Sequence, residues 1–226
     1  MVNNQSPIIM SLIFQTPSPS SPDPKIISYL TLRKAVGWLG ISLAPVLIVG
    51  SWFTDCPNHI DISISAYYYS SMRNELIGII SGISLFLISY HGFSRLDSVI
   101  SKLSGLFALI VGFVPTAPVS VKSDPKSIIH YLAAAIFFIL LSFMSIFLFT
   151  KTGPAGMTKQ KKQRNGVYVF SGIVMLVSVS CIALDNIPFI KTHIPFFRET
   201  IIFETIALTF FGISWLTKGE FILKDK

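Results

Sequence analysis

Five or six apolar segments of nearly membrane-spanning length divide this chain, and its basic residues collect in every second loop between them. The loops at 25–34, 95–102, 151–164 and 218–226 hold 13 of the 18 Lys and Arg. Basic residues close to the end of a span are retained on the cytoplasmic side. The pattern therefore predicts an all-α, polytopic transmembrane bundle of about six helices with both termini cytoplasmic.

The order of the apolar segments also sets the predicted domain organisation. The six predicted spans are 35–53, 74–93, 95–114, 127–150, 167–184 and 200–216. Five spans, with the second or third segment re-entrant, would place the last two basic loops on opposite faces and are disfavoured. Residues 1–29 contain a Pro and Ser run that disfavours helix and strand, which predicts a disordered cytoplasmic tail before a six-helix transmembrane domain at 30–223.

Composition excludes two broad classes of function. Apolar residues make up 51% of the chain and charged residues 13%, which is unlike a soluble domain. The net charge of +7 is spread over loops, without a basic stripe interleaved with aromatics, so no nucleic-acid partner is expected. The lipid bilayer is the expected partner. The cluster between Lys159 and Arg164 predicts contact with anionic lipid headgroups, or serves only as a topology signal.

Polar side chains at the edges of the spans gather at one end of the bundle, the outer end under this topology. Ionisable residues within a membrane are costly unless they are paired or functional. The cluster therefore predicts an outward-facing pocket that binds a lipid headgroup or a small polar ligand. Its candidate ligand-binding residues are Tyr67, Tyr68, Arg73, Asn74, Thr116, His130, Asp185 and Glu204.

Glu204 is the most informative of these residues because it lies more than one turn inside the sixth span. A carboxyl group at that depth has to be paired, protonated or hydrated. We predict that it faces the bundle interior beside a cavity, with Arg73 or His130 as its partner. An ion pair that only holds helices together is the structural alternative.

Histidine and cysteine give weaker signals. A zinc site is disfavoured because no two of its candidate ligands share a helix at ligand spacing, and no metal or cofactor is predicted. Those candidates are His59, His130, His193 and Asp185. Cys56 and Cys181 both map toward the outer side, where they either form a disulfide or serve separately, Cys181 as a small apolar filler.

The loop before the second span is the richest stretch in hydrogen-bonding side chains. Ile60, Ile62 and Ile64 alternate with polar residues, which predicts a short extended segment on the membrane surface. The tyrosines at 67–69 fit an interfacial aromatic belt or, together with Arg73, a polar lid that orients an anionic group.

Local patterns predict how individual helices begin and pack. Ser94 and Asp97 form a capping pair at the start of the third span. Small residues predict close helix contacts along two spans, and Trp215 and Lys218 are predicted to anchor the last span at the cytoplasmic interface. The small residues are Ser104, Ala108 and Gly112 in the third span and Gly78, Ser81 and Gly82 in the second.

Several stretches resemble a family of small bacterial six-helix integral membrane proteins of unknown function. They begin at Ser63, Gly105, Ile129, Phe147 and Gly212, with sequences SISAYY, GLFA, IHYLAAAIFF, FLFTKT and GISWLTKG. The resemblance covers about residues 30–223. It implies a common fold and residence in the bacterial inner membrane, and it carries no activity.

The residues leave three classes of function open. A binding protein is preferred, since no internal repeat supports an alternating-access carrier. A membrane-embedded hydrolase or transferase is the second class, with His130 or Glu204 as general base and Ser63, Ser65 or a metal-bound water as nucleophile. The chain has no recognised nucleophile motif, and its catalytic residues are unknown. A structural subunit of a membrane complex is the third. Oligomeric state is not predicted.

Overall fold

The computed structural model describes residues 24–55, 60–118, 124–152, 156–185 and 200–224. This part of the chain forms six α-helices and no strand, which confirms the all-α class. Most of the predicted tail at 1–29 lies outside the described residues. The helices are Pro24–Thr54 (α1), Arg73–Ser89 (α2), Arg95–Phe113 (α3), Pro125–Phe143 (α4), Lys159–Asp185 (α5) and Thr200–Lys218 (α6).

Five of the helices are long and apolar enough to cross a membrane. The exception is α2, whose 17 residues extend about 25 Å, less than the ~30 Å hydrocarbon core of a typical bilayer. It nevertheless runs the length of the bundle between α1 and α3. The described chain therefore traverses the bundle six times, and five of the six helices meet the length and composition of a span.

The helices pack as a closed ring in chain order. Each contacts its neighbours in sequence, and α6 closes the ring against α1. Contacts at the two ends of the ring show that successive helices run in opposite directions. The ring has two ends. The Glu204 end contains the starts of α2, α4 and α6, and the Lys218 end contains the starts of α1, α3 and α5.

Glycine allows the closing contact between α1 and α6. A Cβ atom on Gly212 would lie 2.5 Å from the Gly37 carbonyl oxygen, and one on Gly37 would lie 2.9 Å from the Gly212 carbonyl oxygen. Small residues of this kind let helix backbones approach closely in a membrane. The predicted role of Gly78 is wrong, because a Cβ there would meet nothing within 4 Å.

The start and the inner face of α3 match the sequence expectation. Ser94 and Asp97 form a capping box, in which each side chain accepts a hydrogen bond from the other residue's backbone N–H. The small residues Ser104, Ala108 and Gly112 are all buried. Ser101, one turn after Asp97, adds a buried hydroxyl that donates to the Leu87 carbonyl at 2.7 Å. These contacts fix α3 against α2.

The segment before α2 is not extended. Residues 62–64 form bends and a turn, and Ser65–Tyr69 forms a 3₁₀-helix. No described strand lies beside it to pair with an extended chain. Instead it attaches to the start of α6, where the Ile201 N–H donates to the Ile62 carbonyl at 3.0 Å. The segment therefore covers the Glu204 end of the ring.

A π-helical turn at Met144–Leu148 extends α4 toward the Lys218 end. There Ser145 is buried, and its hydroxyl lies 2.7 Å from both the Tyr168 carbonyl and the Ser214 hydroxyl. These contacts join α4 to α5 and α6. Single π turns are often found where a side chain has to be re-aimed, and here the turn directs a polar group into the ring.

The Lys218 end is filled by an aromatic cluster. The Trp215 ring is 1% exposed and lies edge-on to Tyr90 at 5.0 Å and to Phe149 at 5.3 Å between centroids. Lys218 is 6% exposed. The predicted interfacial anchoring of Trp215 and Lys218 is therefore wrong, because α6 is enclosed by α1 and α5 and its last turn faces inward.

Candidate ligand cavity at the Glu204 end

A small cavity lies inside the ring near the Glu204 end. Its volume is about 60 Å³, which is room for roughly four water-sized groups. Five of the six helices contribute to its wall, and the 3₁₀ segment lies along it. Most of the lining is apolar, from Leu43, Leu76, Ile80, Ala134, Phe137, Phe138 and similar residues, and the polar side chains are Ser65, Tyr68, His130 and Glu204.

Glu204 lies one turn inside α6 and lines the cavity. Its Oε2 accepts a hydrogen bond from the Ile64 N–H at 2.5 Å. No Lys, Arg or His nitrogen of the described residues lies within ion-pair distance of its carboxylate. Glu204 thus lies beside a cavity. Neither predicted partner, Arg73 or His130, makes a described contact with its carboxylate, and the Ile64 N–H of the covering segment does.

His130 lies in the second turn of α4, is 4% exposed and lines the same cavity. Its Nδ1 lies 2.6 Å from the Val114 carbonyl oxygen. A carbonyl only accepts, so Nδ1 carries the proton and donates. In the neutral imidazole this leaves Nε2 as an acceptor. The contact holds the ring of His130 against the end of α3.

Arg73 and Tyr68 form a pair at the edge of the cavity. The exposed Arg73 side chain donates from Nη2 to the Tyr68 hydroxyl at 2.5 Å, and its guanidinium carbon lies 4.1 Å from the centroid of the Tyr68 ring. Tyr68 itself lines the cavity. The guanidinium is thus fixed next to the cavity by a side chain of its wall, while its other nitrogens face outward.

Four other predicted residues lie elsewhere. Tyr67 is fully buried behind the wall, where its hydroxyl accepts from the Asp61 N–H at 3.4 Å. Thr116 is buried, and its carbonyl accepts from the Tyr69 hydroxyl at 2.7 Å. Asn74 is exposed at the start of α2. Asp185 ends α5, and its side chain lies outside the described part of the chain.

Ser65 is the polar wall residue absent from the predicted ligand-binding set. Its hydroxyl lies 3.1 Å from the Ser63 hydroxyl and makes no described contact with His130. The Ile64 N–H is the group that the sequence analysis did not foresee. A backbone donor has no residue-type signature, so the sequence offered no signal for its pairing with Glu204.

The described residues contain neither a cluster of metal ligands nor a disulfide. Among them, no three His, Cys, Asp or Glu side chains converge. His59, His193 and Cys56 lie outside the described ranges, so the zinc and disulfide hypotheses that need them stay untested. Cys181 is a free, partly buried thiol on α5.

Comparisons with known proteins give no match. Neither protein-family models, nor curated proteins, nor solved structures are similar to this chain. The resemblance to a bacterial membrane-protein family therefore stays a prediction, and the case for function depends on the residues themselves.

Proposed function

We propose that this integral membrane protein binds, in the cavity at its Glu204 end, a small polar ligand or the polar end of a lipid. The observation that carries the proposal is that Glu204 and His130 line the same, mostly apolar cavity. Apolar cavities with a few convergent polar groups are typical of ligand sites. At about 60 Å³ the cavity fits the tip of a ligand rather than a whole lipid.

The two side chains select the chemistry of that ligand. The Glu204 carboxylate uses Oε2 for one N–H and keeps further acceptor positions. His130 donates through Nδ1 and offers Nε2 as an acceptor. A group with several donors, such as an ammonium or a hydroxyl, satisfies both. An ammonium also balances the carboxylate charge, which no described cation does, so an amine is the preferred ligand class.

The proposed orientation places the Glu204 end outside the cell. Its support is the charge asymmetry of the loops, because most basic residues lie at the Lys218 end. A bacterial inner membrane is the proposed location, which rests on the family resemblance. In that setting the cavity receives ligands from the periplasm or from the outer leaflet.

The hydrolase alternative has less support. His130 and Ser65 share the cavity wall, but the Ser65 hydroxyl pairs with Ser63 rather than with the imidazole. A general base has to reach the proton that it removes. No described contact favours the structural-subunit alternative.

The first test is native mass spectrometry of the purified protein with dodecylamine as the probe, beside dodecanol and dodecane. We expect the amine to bind best and dodecane not to bind. Glu204→Gln should weaken amine binding about tenfold, because the amide removes the charge and keeps an oxygen for the Ile64 N–H. Ala134→Phe should abolish binding by filling the cavity.

Two controls separate ligand binding from folding. Leu132→Phe adds the same ring on an exposed face of α4 and should leave binding unchanged. Glu204→Ala removes the hydrogen bond to Ile64 and should lower the free energy of unfolding by about 1.5–3 kcal/mol, whereas Glu204→Gln should cost much less. Equal binding of dodecylamine by the wild type and Ala134→Phe would contradict the proposal.

A further inference from the structure

The Lys218 end concentrates more positive than negative charge. Five cationic side chains lie there, and the described carboxylates near them are Asp97 and Glu220. Asp97 is paired with Lys151 at 2.5 Å, and Glu220 lies 4.0 Å from Arg164. The cations are Arg33, Lys151, Lys161, Arg164 and Lys218. Asp97 is thus engaged, Glu220 makes one long ion pair, and the five cations outnumber the two described carboxylates.

Lys218 has no anionic partner among the described residues. It is 6% exposed, and its ammonium lies 5.1 Å from the ring centroids of both Phe93 and Phe149. No hydrogen-bond acceptor for its ammonium is found among the described residues. A cation–π contact contributes about 1–2 kcal/mol, whereas removing an ammonium from water costs several kcal/mol. The aromatic rings therefore offset only part of the cost of burying this charge.

Arg33 lies beside Lys218 and is also incompletely satisfied. Its Nη1 donates to the Lys218 carbonyl at 3.3 Å, and its buried Nε has no acceptor. The guanidinium lies over the Tyr29 and Tyr90 rings, at 4.5 Å and 5.8 Å. Burial raises the pKa of Tyr90 to about 12, so its phenol stays neutral and supplies no counter-charge.

A groove leads to Arg33, and Lys218 lies behind its wall next to Phe93. Its volume is about 530 Å³, and its wall consists of Tyr29, Leu30, Arg33, His91, Gly92, Phe93 and Glu220. Phe93 is shared between the groove wall and the Lys218 contact. The groove is much larger than one inorganic anion, so it has room for an organic group attached to that anion.

We propose that this groove binds a phosphate group, with Arg33 and Lys218 as its cationic partners. Guanidinium groups bind phosphate through paired N–H donors, and an ammonium adds a point charge with three donors. The same phosphate chemistry belongs to a lipid headgroup and to a soluble phosphate. The site is separate from the cavity at the Glu204 end and does not depend on its function.

Binding is measured on the full-length protein in detergent, with one probe for each source of phosphate. The lipid probe is dioleoyl phosphatidic acid, followed by native mass spectrometry, with dioleoylglycerol as the phosphate-free control. The soluble probe is inorganic phosphate, followed by the shift in unfolding temperature, with chloride at matched ionic strength as its control. A response to phosphatidic acid alone assigns a lipid, and a response to inorganic phosphate assigns a soluble ligand.

Matched variants test the residues. Lys218→Met and Arg33→Gln should each weaken phosphate binding about tenfold. Lys102→Met removes one exposed charge near the same end of α3 and should bind like the wild type, as should Glu204→Gln. If Lys218→Met does not fold, Arg33→Gln carries the test, because Arg33 is only partly buried. Equal binding by Arg33→Gln and Lys102→Met, no binding of either phosphate probe, or equal binding of dioleoylglycerol would overturn the proposal.

Discussion

Two carboxylates show how differently a membrane bundle can accommodate negative charge. Asp97 is 3% exposed and is surrounded by donors from Ser94 and by the Lys151 ammonium. Glu204 receives a single described hydrogen bond and borders a cavity. The first arrangement satisfies the charge within the fold. The second leaves acceptor positions on the carboxylate for a ligand, which is why the proposed ligand site lies there.

Asp97→Ala should destabilise the protein by about 2 kcal/mol. The change removes one half of the capping box and leaves Lys151 without its partner. The loss is moderate because Lys151 is 38% exposed and regains water. Unfolding in detergent, followed by tryptophan fluorescence across a denaturant series, measures it.

Glu75→Ala is the matched control, since Glu75 occupies the first turn of α2 but is exposed. Its change in stability should stay within about 0.5 kcal/mol. Equal losses for the two alanine variants would contradict the burial and pairing described for Asp97.

At the scale of elements, the ring closes because α1 and α6 meet through glycine. The Gly37 and Gly212 backbones approach so closely that either Cβ would meet a carbonyl oxygen of the other helix. The contact also positions the neighbouring cations, since Arg33 lies one turn before Gly37 on α1 and Lys218 lies beyond Gly212 on α6. Helices that meet through small residues depend on close backbone packing, because in lipid there is no hydrophobic driving force for helix association.

Gly212→Ala should destabilise the bundle by about 1–3 kcal/mol through overpacking against α1. Gly78→Ala introduces the same methyl group on α2, where nothing lies within 4 Å, and should stabilise the protein by about 0.5–1 kcal/mol. Opposite signs in thermal unfolding are the expected result. A neutral or stabilising Gly212→Ala would show that α1 and α6 are farther apart.

For the whole molecule, six traversals bring the start of α1 and the end of α6 to the same end of the ring. We therefore expect both to lie on one side of a membrane. The charge of the loops indicates which side of the membrane this is. The basic loops at the Lys218 end predict the cytoplasm.

Alkaline phosphatase joined after Lys226 should be inactive, because it stays in the cytoplasm. The same enzyme inserted after Asp124, at the Glu204 end, should be active. A cytoplasmic reporter such as green fluorescent protein at the same two positions should give the reverse pattern. Activity after Lys226 would invert the proposed orientation and place the cavity on the cytoplasmic side.

The sequence alone determined the class of the molecule and the approximate position of its helices, because the bilayer demands long apolar segments. It also determined local features that depend on near neighbours, such as the Ser94 and Asp97 cap. It placed Glu204 and His130 at one end, although not their contacts.

Only the tertiary structure decided which groups meet. Glu204 pairs with a backbone N–H, which no residue type announces, and Arg73 turns to Tyr68 instead. Lys218 looks in sequence like an interfacial anchor, yet the close α1 and α6 contact turns it inward. Contacts of this kind depend on the rotation and spacing of helices far apart in the chain, and apolar periodicity constrains those only weakly.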